Sequence, residues 1–171
     1  MGVTKIWERL YLGSLDEAAE LVAGNPFAIT TVLSLCSHKV PRKAQGISYT
    51  HLPIADSRPI SARQFDAVMA AIAQGVRHGN LLIHCGGGIS RSPIMTAAWL
   101  HRCGCLNLVA ALMAIRERRP IIDPSLVLLR SVAVHLSRDG PLTIRPSVPG
   151  RVASPAIKRI FEPVINGRSR N

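Results

Sequence analysis

The sequence predicts an α/β fold, a central mixed and mainly parallel sheet flanked by helices. Three observations predict it. Short β-branched apolar runs alternate with stretches of helical period through the first half of the chain. Two Ser-x-x-Glu/Gln capping boxes mark where helices begin. A glycine-rich loop then separates the last apolar run from a string of helical stretches alone. Strands mixed with helices, followed by helices only, form a sheet that helices must cover.

Taken in order, residues 5–12 read as a short strand, and Ser14 with Glu17 opens a helix that Gly24 can close. Residues 29–36 and 47–54 are apolar and β-branched, as interior strands are. Ser61 and Gln64 form the second capping box; behind it Phe65, Val68, Met69, Ile72 and Val76 share one helical face, and Gly79 follows the end. Residues 81–84 make a short interior strand. Beyond the glycines come helices over about 92–103 and 106–118, and a third with Asp123 as its cap and Pro124 in its first turn.

A chain of 171 residues has room for one domain with its own core and an extension. The domain is expected over 1–138. Residues 139–171 carry five of the twelve prolines and six Lys+Arg against two Asp+Glu, without a sustained period, and read as a basic Pro/Arg-containing extension. The formal net charge of +11 attracts anions of many kinds, and the basic tail is expected to add nonspecific anion binding. Aromatic residues, at 4%, offer few platforms for stacking nucleic-acid bases. Four cysteines at uneven spacing do not make a disulfide framework, and Cys103 with Cys105 lacks the second pair of a zinc site. Neither metal nor cofactor is expected, and the cysteine usage points to a reducing, cytoplasmic setting. The N-terminal residues suggest neither a signal peptide nor a myristoylation site, and no stretch is apolar enough to span a membrane.

The chemistry concentrates in Ile83-His-Cys-Gly-Gly-Gly-Ile-Ser-Arg-Ser-Pro93. A strand ending at His84 and a helix starting near Arg91 leave a loop from Cys85 to Arg91, in which Gly86, Gly87 and Gly88 permit positive φ and close backbone approach. With Ile89 and Ser90 they can turn their amides inward as an anion cradle, at the positive end of a helix. Arg91 supplies a planar fork for two oxygens of a tetrahedral oxyanion. The same field favours thiolate over thiol at Cys85, making it a nucleophile on the floor of a phosphate site. Attack on phosphorus would give a phosphocysteine, with Ser92 donating to the sulfur when it leaves. His84 is expected to orient the loop rather than to exchange protons with substrate.

The leaving group needs a proton. Asp56 follows a predicted strand on a Ser/Arg/Pro loop with no structural duty of its own, which suits a general acid and then a base for water. Asp66, inside a helix, and Asp123, at a cap, are weaker candidates.

These residues carry a resemblance. His84-Cys-Gly-Gly-Gly-Ile-Ser-Arg-Ser92 resembles the HC-x5-R-S/T signature of the cysteine-dependent protein tyrosine phosphatases, and the Ser-Arg-Ser-Pro form is similar to their small dual-specificity branch. Leu10-Tyr-Leu-Gly-Ser14 is similar to that branch's early strand, residues 29–35 to its next strand, and Arg119-Pro-Ile-Ile-Asp-Pro124 to its later Arg-Pro loop. Asp56 lies where the branch has its general acid. The likeness covers about residues 5–138 and leaves the tail unmatched. Ser125 departs from it, standing where the branch usually has Asn, and the loop interior lacks the lysines of phosphoinositide-directed members.

The resemblance implies a dual-specificity fold and a phosphatase acting on phosphotyrosine, and on phosphoserine or phosphothreonine, in phosphorylated protein substrates. Two other readings stay open. One is a phosphatase of RNA 5′ ends or another non-protein phosphoester, favoured by charge but not by the scarce aromatics. The other is a phospho-binding module with weak or no catalysis, disfavoured because nucleophile, arginine and acid are all present. Some family members carry a cysteine near the place of Cys36 that traps the oxidised nucleophile as a disulfide. Cys36 is therefore a candidate redox partner of Cys85, against the plainer reading of a buried small apolar residue.

Overall fold

In the computed structural model of the protein, residues 2–138 are described; the extension expected over 139–171 lies outside them. Five strands form one sheet in the order β1-β2-β5-β3-β4, where β1 is Thr4–Lys5, β2 Leu10–Gly13, β3 Ile29–Ser34, β4 Ser48–His51 and β5 Asn80–His84. Only β1 runs antiparallel; the β2–β5, β5–β3 and β3–β4 pairs are parallel. The expected mixed, mainly parallel sheet is what the chain forms.

The helices are α1 (Leu15–Ala19), continued by a 3-10 turn over Glu20–Val22, then α2 (Ala62–His78), α3 (Arg91–Arg102), α4 (Leu108–Arg118) and α5 (Leu126–Arg138). Successive strand residues face opposite layers. Leu10, Leu12, Leu33, Leu35, Leu81 and Ile83 join the core under α2 to α5, whereas Tyr11, Val32 and Leu82 face Ala18, Leu21 and Val40 on the other side. Burial on both faces is why these strands read as continuous apolar runs rather than alternating ones.

Three local expectations change. Residues 5–12 are not one strand: the Ile6 amide donates to Leu10 O at 2.8 Å, folding the segment into a turn so that β1 pairs back on β2. The helix after Ser14 is short and ends in the 3-10 turn, although its capping box forms as expected. The last helix starts later than expected, with Ser125 rather than Asp123 as cap; Ser125 Oγ accepts from the Leu128 amide at 3.5 Å. The Asp123 amide is spent instead on Ile89 O, at 3.0 Å. Among the described residues no helix is long and apolar enough to cross a membrane.

Candidate active site

The site lies at the carboxyl ends of the parallel strands, where β5 hands over to α3. The carbonyls of the intervening loop are tied outward. Gly86 O accepts from the Leu15 amide at 2.9 Å, Gly88 O from Arg119 Nε at 3.1 Å, and Ile89 O from the Asp123 amide at 3.0 Å. The Ile89 amide of the loop and the Ser92 amide in the first turn of α3 both favour the Cys85 thiolate. The cradle is thus set by three segments distant in sequence.

Cys85 is buried, and burial alone would push its thiol up; the Ser92 hydroxyl and amide, the Arg91 charge and the Ile89 amide outweigh it and hold the thiol below the ordinary value. Ser92 Oγ donates to Cys85 Sγ at 3.3 Å. The other cysteines go the opposite way. Burial raises Cys36 and Cys105 and pushes Cys103 up to about 12, so these hold their protons more firmly than Cys85.

His84 is fully buried. Its Nδ1 donates to Cys85 O at 3.2 Å, so its Nε2 accepts the Ser34 hydroxyl at 2.6 Å; desolvation pulls its pKa below the ordinary value and keeps the ring neutral.

Arg91 Nη1 donates to Ile54 O at 3.4 Å, and its buried Nε stands 3.4 Å from Asp56 Oδ2 without hydrogen-bond alignment to any group among the described residues. A buried donor left open beside a thiolate is a seat for an oxyanion. Asp56, half exposed, reaches this seat: its Oδ1 accepts from the Ser57 amide at 3.0 Å and from Ser90 Oγ at 3.1 Å. The turn behind it holds Ser57 at φ +54, a conformation that costs a non-glycine residue about 1 kcal/mol or more. Asp66 pairs with Arg102 at 3.7 Å instead, consistent with its lower standing as the acid.

The three glycines are not equivalent. Gly88 alone of them has positive φ, +66, and a Cβ there would sit 2.5 Å from Gly13 O; at Gly87 the close neighbour is the flexible Ile89 side chain, and at Gly86 a Cβ meets only Arg91 at 3.5 Å.

Sequence reasoning passed over two residues behind the loop. Arg119, 1% exposed, reaches Gly87 O, Gly88 O, Gly2 O, Thr4 Oγ1 and the Glu17 carboxylate. Glu17 also accepts the Ser14 amide at 2.8 Å. Their visible signals, an Arg-Pro loop and a capping box, do not reveal that they meet. Ser125 supports the cradle through its main chain, its amide donating to Ser90 Oγ at 3.1 Å.

Cys36 lies two residues past Ser34, the partner of His84 across the β3–β5 pair, and its charge state couples to those of Cys85 and Arg91. All four cysteines are free thiols.

A low-pKa thiolate ringed by amides, an arginine and a carboxylate defines a cysteine-nucleophile phosphate site on a mainly parallel sheet. The profile of the dual specificity phosphatase catalytic domain matches residues 10–137, and the chain belongs to that family. It is 31% identical over 127 residues to mouse dual specificity protein phosphatase 15, covering 72% of this chain and 53% of that protein. To human dual specificity protein phosphatase 5 it is 28% identical over 150 residues, covering 86% and 39%. A crystal structure of DUSP15 superposes with a TM-score of 0.66 at 26% identity, covering 95% of this chain and 96% of that one. The chain thus spans less than two thirds of the length of the two curated relatives.

Proposed function

We propose that the protein is a cysteine-dependent phosphatase of phosphorylated proteins, acting on phosphotyrosine and on phosphoserine or phosphothreonine. The observation that carries this is the Cys85 thiolate, 3.3 Å from the Ser92 hydroxyl, on the floor of a loop whose Arg91 Nε is buried and open. Cys85 Sγ attacks phosphorus; the P–O ester bond breaks, and the leaving oxygen takes a proton from Asp56. Water, losing a proton to the Asp56 carboxylate, then attacks the phosphocysteine. The P–S bond breaks, and Ser92 donates to the departing thiolate. Loop amides from Gly86 to Arg91 and the Arg91 guanidinium hold the phosphoryl oxygens throughout.

The membership in the dual specificity family supports protein substrates. A turnover panel of phosphotyrosyl and phosphoseryl peptides, 5′-triphosphorylated RNA and phosphoinositides tests it. Protein phosphoesters should be the best substrates; preferential turnover of RNA ends would move the activity to the second reading, and phosphate binding without turnover to the third.

Three further assignments belong to the same proposal. A thiolate nucleophile needs a reducing compartment, which supports a cytoplasmic location. The basic residues of 139–171 add nonspecific anion binding. Cys36 serves as the redox partner: peroxide converts the Cys85 thiolate to sulfenic acid, and condensation with the Cys36 thiol gives a disulfide and water.

A further inference from the structure

Helix N-terminal serines normally turn the hydroxyl back to accept an amide of the first turn. In this chain Ser14 accepts from Glu17 N, Ser61 from Gln64 N, Asn107 from Ala110 N and Ser125 from Leu128 N. Ser90, the cap of α3, does not: its hydroxyl makes no capping bond. It accepts the Ser125 amide at 3.1 Å and donates to Asp56 Oδ1 at 3.1 Å, across 34 residues of sequence. A cap that abandons its local duty at the mouth of a site marks a position whose local preference has given way to function.

We propose that Ser90 is a positioning residue for the general acid: it fixes which oxygen of Asp56 carries the proton. This rests on the phosphatase reading above. A hydroxyl has one hydrogen to give. With the Ser125 amide occupying a lone pair, that hydrogen is directed at Asp56 Oδ1. The same oxygen also accepts the Ser57 amide at 3.0 Å, so both of its lone pairs are engaged. When the carboxyl is protonated, the Ser57 amide and the Ser90 hydroxyl donating to Oδ1 favour the proton on Oδ2, the oxygen 3.4 Å from Arg91 Nε and hence toward the phosphate seat. Arg91 cannot do this job during turnover, because its guanidinium is needed by the phosphoryl oxygens. Once it turns to them, Ser90 is the side chain still hydrogen-bonded to Asp56 among the described residues. Ser90 thereby acts through Asp56, while its backbone belongs to the cradle.

The test uses the full chain carrying Ser90→Ala, Ser90→Thr, Asp56→Asn, or Ser90→Ala with Asp56→Asn, on aryl phosphates whose leaving phenols range from strongly acidic to tyrosine-like. Ser90→Ala should lower kcat/KM for the tyrosine-like esters about tenfold or more, part of the roughly hundred- to ten-thousandfold that a general acid supplies, and lower that of esters of acidic phenols clearly less. The dependence of kcat/KM on leaving-group acidity steepens, Ser90→Thr restores it, and Ser90→Ala adds little once Asp56 is Asn. Inhibition by inorganic phosphate measures separately the cradle support lost with the Ser125 amide bond, which acts on all esters alike. Equal loss across all esters, or multiplying effects of the two substitutions, would each overturn the proposal. A wild type that turned over no ester at all would overturn the phosphatase reading with it.

Discussion

Arg119 Nη2 stands 3.1 Å from Glu17 Oε2, a buried ion pair that joins residues 102 positions apart directly behind the phosphate loop. Glu17 also caps α1 through the Ser14 amide, and Arg119 holds two carbonyls of the loop, so the pair ties helix, loop and N-terminal strand into one unit. Breaking a buried pair leaves an uncompensated charge, which costs about 3–5 kcal/mol. Urea unfolding of Arg119→Met and Glu17→Met should each show a loss of this order, and the double variant should lose clearly less than the two together. Additive losses would mean the pair is not coupled.

Cys85→Ser should abolish turnover while retaining oxyanion binding, since the loop amides and Arg91 remain and only the sulfur is gone. Equilibrium binding of tungstate or a phosphopeptide, beside a turnover assay, separates the two. Residual turnover near wild type would rule out the cysteine nucleophile.

Because its folded pKa is depressed, Cys85 keeps its thiolate, and its reactivity, below the ordinary thiol value and loses both only as pH falls through the lowered pKa. Iodoacetamide labelling followed by mass spectrometry should modify Cys85 first at neutral pH, with Cys36, Cys103 and Cys105, all raised, following only at higher pH. Ser92→Ala should move the Cys85 profile upward, because the hydroxyl is the largest of the groups lowering it.

The glycines should separate under substitution. Gly88→Ala meets the Gly13 carbonyl and an unfavourable φ, and should remove turnover and lower Tm. Gly86→Ala, with open space up to Arg91, should leave Tm within a few degrees of wild type. Comparable Tm losses in the two would contradict the loop geometry.

Mild peroxide followed by thiol should restore wild-type activity more completely than that of Cys36→Ser, since a disulfide halts oxidation before the irreversible sulfinic stage. Non-reducing peptide mapping should find the Cys36–Cys85 bridge; equal recovery in the two proteins would remove Cys36 from the site.

Much of this was legible before folding, for a physical reason. The Ser14 and Ser61 caps, the apolar face of α2 and the run from Cys85 to Ser92 depend on neighbours within a few residues, where backbone geometry alone fixes who meets whom. Asp56 is singled out in the sequence as the acidic residue without a local task, and the structure sets it 3.4 Å from Arg91 Nε. Asp123 does not cap the last helix because α5 begins at Leu126, which puts Ser125 at the cap, while the Asp123 amide is bonded to Ile89 O in a loop more than thirty residues away.

The sequence by itself determined the sheet and the run that brings Cys85, the three glycines and Arg91 together at its end, because contiguous residues spell each one. Only the tertiary structure decided which glycine bears the strain, that residues 5–12 turn back on themselves, that Ser90 faces Asp56, and that Glu17 meets Arg119 behind the loop. Those pairings follow from placing β5 between β2 and β3, which brings the ends of distant segments to one edge of the sheet. No period or spacing along the chain encodes such an encounter; it exists only once the strands are ordered and the carbonyls of the loop must find donors among whatever that order has placed beside them.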